Sequence, residues 1–215
     1  MIISRGRRYI FVHIPKTGGT ALSLALEARA KADDILIGDT PKAQRRRGRL
    51  RALHPAGRLW KHSRLSDIDG VVSGADIEAM CVFTLVRNPW DRLVSYYHWL
   101  RTQSFDHPAV GHARTLEFSE FLNHPNTQST LSGDQYDAYV TDATGRVRCD
   151  HYVRIEALSE DLAPVEAHLG FALGPLQIVN ASPRPPDYRP LYSDSDAACV
   201  ARIWAADIAR FGYAF

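Results

Sequence analysis

The chain has 215 residues, a formal net charge of +2, and a composition that is 45% hydrophobic and 23% charged. These values predict a soluble globular protein, one domain over residues 1–215 with a large core, and they exclude a strongly basic or acidic chain. Because the charges nearly balance, we expect no nucleic-acid partner, and charge has to be examined locally.

The cysteines and the N-terminal segment bear on the compartment. Cys81, Cys149 and Cys199 are far apart and form no CxxC pair, which argues against a disulfide framework or a zinc site. They favour a reducing, cytoplasmic location. The N-terminal MIISRGRRYIFVHI has only a short apolar run broken by charge, so we interpret it as a strand and not as a signal peptide. We also expect no membrane span, because no apolar run approaches the required length of about 20 residues.

The first half of the chain contains two segments in which a strand precedes a helix. Residues 8–14 (RYIFVHI) predict a buried strand, and residues 20–31 predict a helix rich in leucine and alanine. Residues 42–51 hold six basic residues in ten without apolar periodicity, which predicts an exposed loop or insertion. Residues 79–86 predict a second buried strand, and 89–101 a helix with apolar residues at i, i+3, i+4 and i+7.

The second half is less regular. Residues 102–150 predict loops with one short helix near 117–123. Residues 155–168 predict a helix, which Pro164 is expected to break or restart. The five prolines within 171–190 predict an extended loop.

The last segment, residues 194–211, predicts a C-terminal helix with Asp194, Ser195 or Asp196 as its cap. Taken together, the two strand-then-helix units predict an α/β fold in which helices flank a central parallel β-sheet.

The first strand leads into a turn that suits a phosphate. Free backbone N–H groups and the helix dipole stabilise an anion at a helix N-terminus, and glycines allow the backbone to approach it closely. A lysine and two hydroxyls add further donors. The residues are Lys16, Thr17, Gly18, Gly19 and Thr20. A plain glycine-containing turn with an exposed lysine is the alternative.

This turn is not a Walker loop. The Walker pattern would require glycines at positions 10 and 15, where the chain has Ile10 and Pro15. An ATP-dependent, kinase-like transferase is therefore disfavoured, but it stays open as an alternative.

The second strand also ends at an anion-binding pattern. Arg87 stands at the strand end, and Ser95 follows eight residues later in the predicted helix. An arginine fork and a hydroxyl together suit a phosphate monoester. The alternatives are a surface charge and a serine on a helix face. We expect Asp91 and Arg92 to be local ion-pair partners.

At these two motifs the chain resembles the sulfotransferases that use 3′-phosphoadenosine 5′-phosphosulfate (PAPS). HIPKTGGT is similar to their 5′-phosphosulfate loop, and FTLVRNPWDRLVSYY is similar to their 3′-phosphate motif. The resemblance is strongest to the carbohydrate branch that includes heparan sulfate 2-O-sulfotransferase and small bacterial relatives. It extends to the segments 154–162, 179–192 and 207–213. Two departures are Ala21, where many relatives have serine, and Ile155, where an aromatic is usual.

The resemblance implies a P-loop-like sulfotransferase fold, PAPS as donor, 3′-phosphoadenosine 5′-phosphate (PAP) as product, and no metal. It implies an acceptor hydroxyl, with a glycan as the expected acceptor class and a lipid headgroup or a small metabolite as the open alternatives. Lys16 is expected to stabilise the leaving phosphate, and the resemblance proposes His62, in WKHSRLSDI, as the base. His54 is the reserve candidate, and His13 is expected to be buried.

The remaining candidates lie in two segments. The proline-rich loop that carries Arg184, Arg189 and Tyr192 is expected to close over the nucleotide, with a plain surface loop as the alternative. For the basic run 42–51 we favour a solvated face over a site for an anionic glycan. A non-catalytic binder of anionic polymers that uses this run is a third functional hypothesis.

Overall fold

The computed structural model describes residues 1–176 and 184–215. The chain divides into two compact units, residues 1–86 with 136–179 and residues 87–135 with 180–215. All strands of the described residues belong to the first unit, and the second is helical.

The first unit is built on one five-stranded sheet. Its strands are β1 (Ile2–Ser4), β2 (Tyr9–Val12), β3 (Ile35–Leu36), β4 (Cys81–Val86) and β5 (His151–Arg154). The strand order is β3-β1-β2-β4-β5. Strands β2, β4 and β5 are parallel, whereas β1 runs antiparallel to β2 and β3. The predicted α/β class with a central sheet is therefore confirmed, and the sheet is mixed, with a parallel part of three strands.

The sequence suggested that the N-terminal segment is one strand, and this was wrong. The segment forms two strands, β1 and β2, which gives the antiparallel part of the sheet. A 3₁₀ turn over Arg5–Arg7 reverses the chain, and Arg8 adopts a left-handed conformation with φ 55°. Residues Ile2 and Phe11 consequently pair across a hairpin. A left-handed arginine is uncommon, so the residue types alone gave little sign of this turn.

Eleven α-helices occur in the described residues. They are α1 (Gly19–Ala28), α2 (Pro41–Arg46), α3 (Gly74–Glu78), α4 (Pro89–Arg101), α5 (Pro108–Thr115), α6 (Phe118–Asn123), α7 (Pro125–Ser132), α8 (Tyr136–Val140), α9 (Leu158–Leu169), α10 (Asp194–Ile203) and α11 (Ala205–Phe211). None of them is long and apolar enough to cross a membrane.

The core of the first unit lies between the sheet and two helices. Aromatic side chains of the central strands pack together, with ring centroids 5.7 Å apart for Tyr9 and Phe83 and 5.5 Å apart for Phe11 and Phe83. Leucines and a valine of α1 and α9 complete this cluster: Leu22, Leu26, Leu162 and Val165. Burial of these apolar side chains fixes α1, and hence its N-terminus, at the end of β2.

The second unit packs around α4, which has the predicted bounds 89–101. The periodic face of α4 is buried against α5, α6 and α10, and its main members are Trp90, Leu93, Tyr97 and Leu100. Trp204 and Phe121 are buried in the same cluster. Helix α6 lies where the short helix near 117–123 was predicted.

The prediction that the rest of 102–150 is loop was wrong. It contains three further helices, and two of them, α5 and α7, begin with a His-Pro pair. The Nδ1 atoms of His107 and His124 accept the backbone N–H two residues on, at 3.2 and 3.3 Å. Because histidine is not among the usual N-caps, the pattern gave no start signal.

Two smaller predictions were also wrong. Helix α9 continues through Pro164. The proline is exposed, so the carbonyl that loses its partner can face solvent. The C-terminal segment forms two helices separated at Trp204, and its cap is Ser193, which forms a capping box with Asp196.

The basic run 42–51 is helical and not a loop, because α2 continues into a 3₁₀ turn over Arg47–Ala52. Three of its side chains donate to backbone carbonyls within residues 27–34, at and after the end of α1: Lys42, Arg46 and Arg49. The carbonyl of Glu27 belongs to the last turn of α1, and the other three carbonyls lie in the chain that follows the helix. Half of the run's positive charges therefore serve the fold.

This arrangement predicts different effects for two adjacent arginines. Arg46 donates to the carbonyls of Lys31 and Asp34 at 2.8 and 3.3 Å, whereas Arg45 is exposed. We expect Arg46→Ala to lower the free energy of unfolding by about 1 kcal/mol and Arg45→Ala to change it by less than about 0.5 kcal/mol. Urea unfolding of the two variants tests this, and equal effects would contradict it.

Candidate functional site

The loop between β2 and α1 is held in an unusual conformation. Lys16 and Gly18 both have positive φ angles, 65° and 82°. Between them, Thr17 is fully buried, and its hydroxyl donates to the carbonyl of Ile14 at 2.9 Å. This hydroxyl, which the sequence suggested as a donor to a ligand, is used within the loop, where it fixes the turn.

The N-cap residue of α1 has no side chain with which to cap the helix N-terminus. This residue is Gly18, and the first turn of α1 contains no acidic residue. By contrast, Asn88 caps α4 and Ser193 caps α10 with side-chain oxygens. The positive end of the α1 dipole is therefore not offset by a side chain, which is the arrangement that favours an anion.

Gly19 is required by a close contact with His13. A Cβ atom at position 19 would lie 2.2 Å from Cδ2 of His13, nearer than real atoms approach. The sequence suggested that this glycine lets the backbone approach a ligand closely. In the structure the glycine also leaves room for the His13 ring. Gly18 is required for a different reason, its left-handed φ. Burial and the neighbouring His62 hold the pKa of His13 well below its usual range.

His62 is brought to this loop from 49 residues further along the chain. Its Nδ1 lies 2.8 Å from the carbonyl oxygen of His13, and the two rings meet edge to face with centroids 4.7 Å apart. A carbonyl can only accept, so Nδ1 carries the hydrogen and the lone pair is on Nε2. The ring of Trp60 lies 5.0 Å away on an exposed residue.

Burial lowers the pKa of His62 to about 3. The ordinary histidine pKa is about 6.5. The imidazole is neutral at pH 7 and can accept a proton at Nε2, but its basicity is low.

The other two candidates from the sequence in the first unit are His54 and Thr20. His54 is exposed. Thr20 lines a cavity of about 10 Å³ together with His13 and Lys61, which is the size of one water and too small for a nucleotide. Among the residues that the structure describes, no group of three or more His, Cys, Asp and Glu side chains is placed to hold a metal ion.

The second motif lies in the second unit, where Arg87 directly follows β4 in the sequence. Its Nε donates to Asp91 at 2.7 Å, and Arg184 contacts the other carboxylate oxygen of Asp91 at 2.7 Å. One carboxylate between two guanidinium groups leaves the cluster positive. Ser95 is one helical turn beyond Asp91 on the same face of α4, and it is 5% exposed.

Asp91 and Arg92 form local ion pairs, as the sequence suggested. Asp91 pairs with two arginines, and Arg92, which is buried, pairs with Asp134 at 2.7 Å. Asn88 and Trp90 have structural roles, because Asn88 caps α4 and the Trp90 indole donates to the carbonyl of Ala197.

The suggested lid residues differ in their placement. The Tyr192 hydroxyl donates to the carbonyl of Trp90 at 2.8 Å, and burial raises the pKa of Tyr192. Its ring packs on Phe118 within the core of the second unit, so it is not a mobile lid group. Arg189 is exposed and pairs with Asp187, whereas Arg184 joins the Asp91 cluster. Residues 177–183, which include the start of the 179–192 segment, lie outside the described residues.

Sequence reasoning missed β5 and its link to the loop. The strand ends at Arg154, whose guanidinium forms a two-point contact with Asp161 at 2.7 and 2.8 Å. Ile155 then lies 3.8 Å from the position that a Cβ of Gly18 would occupy. The apolar residues of HYVRI were a weak strand signal, because the segment is short.

Comparisons with known proteins agree with these motifs. The Sulfotransferase family model matches residues 1–169, which is most of the chain. The chain belongs to the sulfotransferase family. A search of curated proteins gave no match.

Among solved structures, the chain is similar to mouse sulfotransferase SULT7A1 complexed with PAP. The two are 18% identical with a TM-score of 0.46. The match covers 91% of this chain but 63% of the mouse chain, which is less than two thirds of its length.

The contact between residues 13 and 19 gives a prediction about coupling. We expect Gly19→Ala to destabilise the protein by about 1–3 kcal/mol, because its methyl group overlaps the His13 ring. In a His13→Ala background the same change should cost much less. A double-mutant cycle by urea unfolding measures this coupling. Equal costs in both backgrounds would show that Gly19 is required for another reason.

The lowered pKa of His62 predicts acid sensitivity. Between pH 6.5 and about 3 the unfolded chain binds a proton that the folded chain does not. The free energy of unfolding should therefore fall as pH is lowered through this window, by up to about 1.4 kcal/mol per pH unit from this site. His62→Asn, which retains a donor toward the His13 carbonyl, should make the fall shallower. Urea unfolding from pH 7 to 5 tests this, with His54→Asn as the exposed control, and an unchanged slope in His62→Asn would contradict it.

Proposed function

We propose that the chain is a PAPS-dependent sulfotransferase that transfers the sulfuryl group to a hydroxyl of an acceptor and releases PAP. The family match over residues 1–169 carries this proposal. The N-terminus of α1, which has no side-chain cap among the described residues and follows Lys16, supports it.

The loop of residues 16–20 is the proposed site of the 5′-phosphosulfate. Lys16 would stabilise the charge that develops on the leaving phosphate oxygen, as in related phosphoryl transfers. Thr20 would contribute its hydroxyl, and Gly18 and Gly19 their backbone N–H groups. Thr17 would contribute its backbone alone, because its hydroxyl already donates to Ile14.

The 3′-phosphate is proposed to bind Arg87 and Ser95. Asp91 supports this role, because it holds the Arg87 guanidinium at the start of α4 and is itself shared with Arg184. Because this guanidinium is already oriented, it loses less conformational entropy when it binds a phosphate than a mobile guanidinium would. Arg184 is the proposed additional positive group at this motif.

His62 is proposed as the base. In the transfer, the acceptor oxygen forms a bond to sulfur while the bond between sulfur and the phosphate oxygen breaks, and that oxygen keeps the electron pair. The acceptor proton passes to Nε2 of His62, the nitrogen that bears the lone pair. Because His62 is a weak base in this structure, the proton would move only as the new bond makes the acceptor oxygen acidic.

The acceptor class and the location are proposed from the resemblance and from the cysteines. A saccharide hydroxyl is proposed on the resemblance to carbohydrate sulfotransferases. A reducing, cytoplasmic location is proposed from the three dispersed cysteines, whose thiols are free. We also propose that residues 1–215 act as one transferase domain.

Each of the two alternatives needs a feature that the chain lacks or already uses within the fold. A kinase-like transferase would need phosphate-loop glycines that the sequence lacks at Ile10 and Pro15. A binder of anionic polymers would need the basic run 42–51, of which Lys42, Arg46 and Arg49 already donate to backbone carbonyls.

The test combines nucleotide binding with transfer of labelled sulfate from PAPS to a panel of acceptors. We expect calorimetry to show a clear preference for PAP over ATP. Arg87→Ala should weaken PAP binding by about tenfold or more, because a charge-assisted contact is lost. Arg114→Ala, at an exposed arginine of the same unit, is the matched control.

The catalytic roles are separated by the remaining variants. We expect Lys16→Ala to lower turnover mainly, and His62→Ala to lower turnover by about 10²- to 10⁴-fold with PAP affinity nearly unchanged. A preference for ATP would overturn the sulfotransferase proposal. A normal rate in His62→Ala would remove His62 from the mechanism without affecting the donor assignment.

A further inference from the structure

Trp60 combines exposure to solvent with a contact to the proposed base. It is 43% exposed, and its ring centroid lies 5.0 Å from that of His62, with the two ring planes at 87°. His62 is itself partly exposed. A single exposed aromatic side chain is ordinary on a protein surface. This one lies beside the group that is proposed to take the acceptor proton, so an acceptor that reaches His62 also meets the indole.

The turn that carries Trp60 is fixed by Ser63, which is fully buried. The Oγ atom of Ser63 accepts the backbone N–H of Trp60 at 2.8 Å. The same Oγ donates its hydrogen to the carbonyls of Arg58 and Trp60, which lie 3.0 and 2.8 Å away. Because a buried serine holds both ends of this turn, the backbone beneath the indole is ordered before any ligand binds. A group that is already ordered loses less conformational entropy on binding.

The indole ring is also held from two sides. The guanidinium carbon of Arg58 lies over the ring, 5.6 Å from its centroid, and the negative face of an indole attracts such a cation. The edge contact with His62 is the second restraint. The exposed part of Trp60 is therefore a fixed apolar surface and not a freely rotating side chain.

The indole N–H of Trp60 differs from that of two other tryptophans. The buried indoles of Trp90 and Trp204 donate to the carbonyls of Ala197 and Asp134, at 3.0 and 3.4 Å. Within the part of the chain that the structure describes, the Trp60 indole donates to no protein group. Trp60 therefore offers an apolar ring and a polar donor together, the combination that makes tryptophan common at binding surfaces.

We propose that Trp60 is an acceptor-binding residue that selects a cyclic acceptor. The ring of the acceptor packs on the exposed indole, and this contact places one of its hydroxyls at Nε2 of His62. A pyranose and a phenol share the required chemistry, which is a ring with an apolar face and an attached hydroxyl. The inference rests on the proposed function, because it takes His62 as the base.

Two substitutions at Trp60 separate the ring from apolar bulk. Trp60→Leu keeps an apolar side chain but removes the ring, and we expect the affinity for methyl β-glucoside to fall by about three- to tenfold. Trp60→Phe keeps a ring and should stay within about twofold of the original affinity. Phe105→Leu makes the same kind of change at another exposed aromatic residue, 48% exposed, and is the control. If Trp60 only supported His62, the affinity for the probe would be unchanged in Trp60→Leu.

The probes are methyl β-glucoside, phenol and ethylene glycol, which carries hydroxyls but no ring. Each is titrated into the intact chain in the presence of PAP and followed by the amide chemical shifts of residues 58–63. Shifts with a ring probe that weaken in Trp60→Leu and persist in Trp60→Phe support the proposal, and the stronger ring probe identifies the kind of ring. No shift with either ring probe, equal binding of ethylene glycol, or an unchanged affinity in Trp60→Leu would overturn it.

The failure of this proposal is distinguishable from the failure of the proposed function. A preference for ATP over PAP overturns the sulfotransferase proposal, whatever the ring probes do. Normal PAP binding together with probe affinities that do not depend on residue 60 overturns the role of Trp60 alone. Because Trp60 is exposed, we expect both variants to keep a melting temperature close to that of the original chain.

Discussion

The contact between the His13 imidazole and Gly19 is the constraint on which the candidate site depends. The ring occupies the space that a Cβ at position 19 would need, so α1 can begin close to the end of β2. The carbonyl of the same histidine accepts from Nδ1 of His62. His13 therefore joins the loop that follows β2 to a histidine distant in sequence, and it fixes which nitrogen of His62 carries the lone pair.

The parts of the fold that the sequence predicted well are those with a strong local signal. Helix α4 has the predicted bounds because Pro89 marks its start and its apolar residues recur at helical spacing. Within 102–150 the sequence predicted only α6, because the other helices are short and two of them begin at histidine caps. The N-terminal hairpin depends on a left-handed Arg8, a conformation that the residue type does not favour.

The candidate site shows a similar division. The two motifs predicted Lys16, Arg87 and their neighbours as site residues from their types and spacing, and their roles stay predictions. The surroundings of these residues could not be predicted. The pKa of His62 depends on burial by segments far from it in the sequence, and the Thr17 hydroxyl is engaged by a turn that only the folded loop creates. Local patterns therefore predict candidate groups, but they do not predict the protonation of those groups or which of their donors are available.

The number of charges in a segment is a poor guide to where an anion binds. The basic run 42–51 has six positive residues, yet three of them are engaged with backbone carbonyls. The loop before α1 has one lysine, but it precedes a helix whose N-cap, Gly18, has no side chain, so the N–H groups of the helix N-terminus can bind an anion.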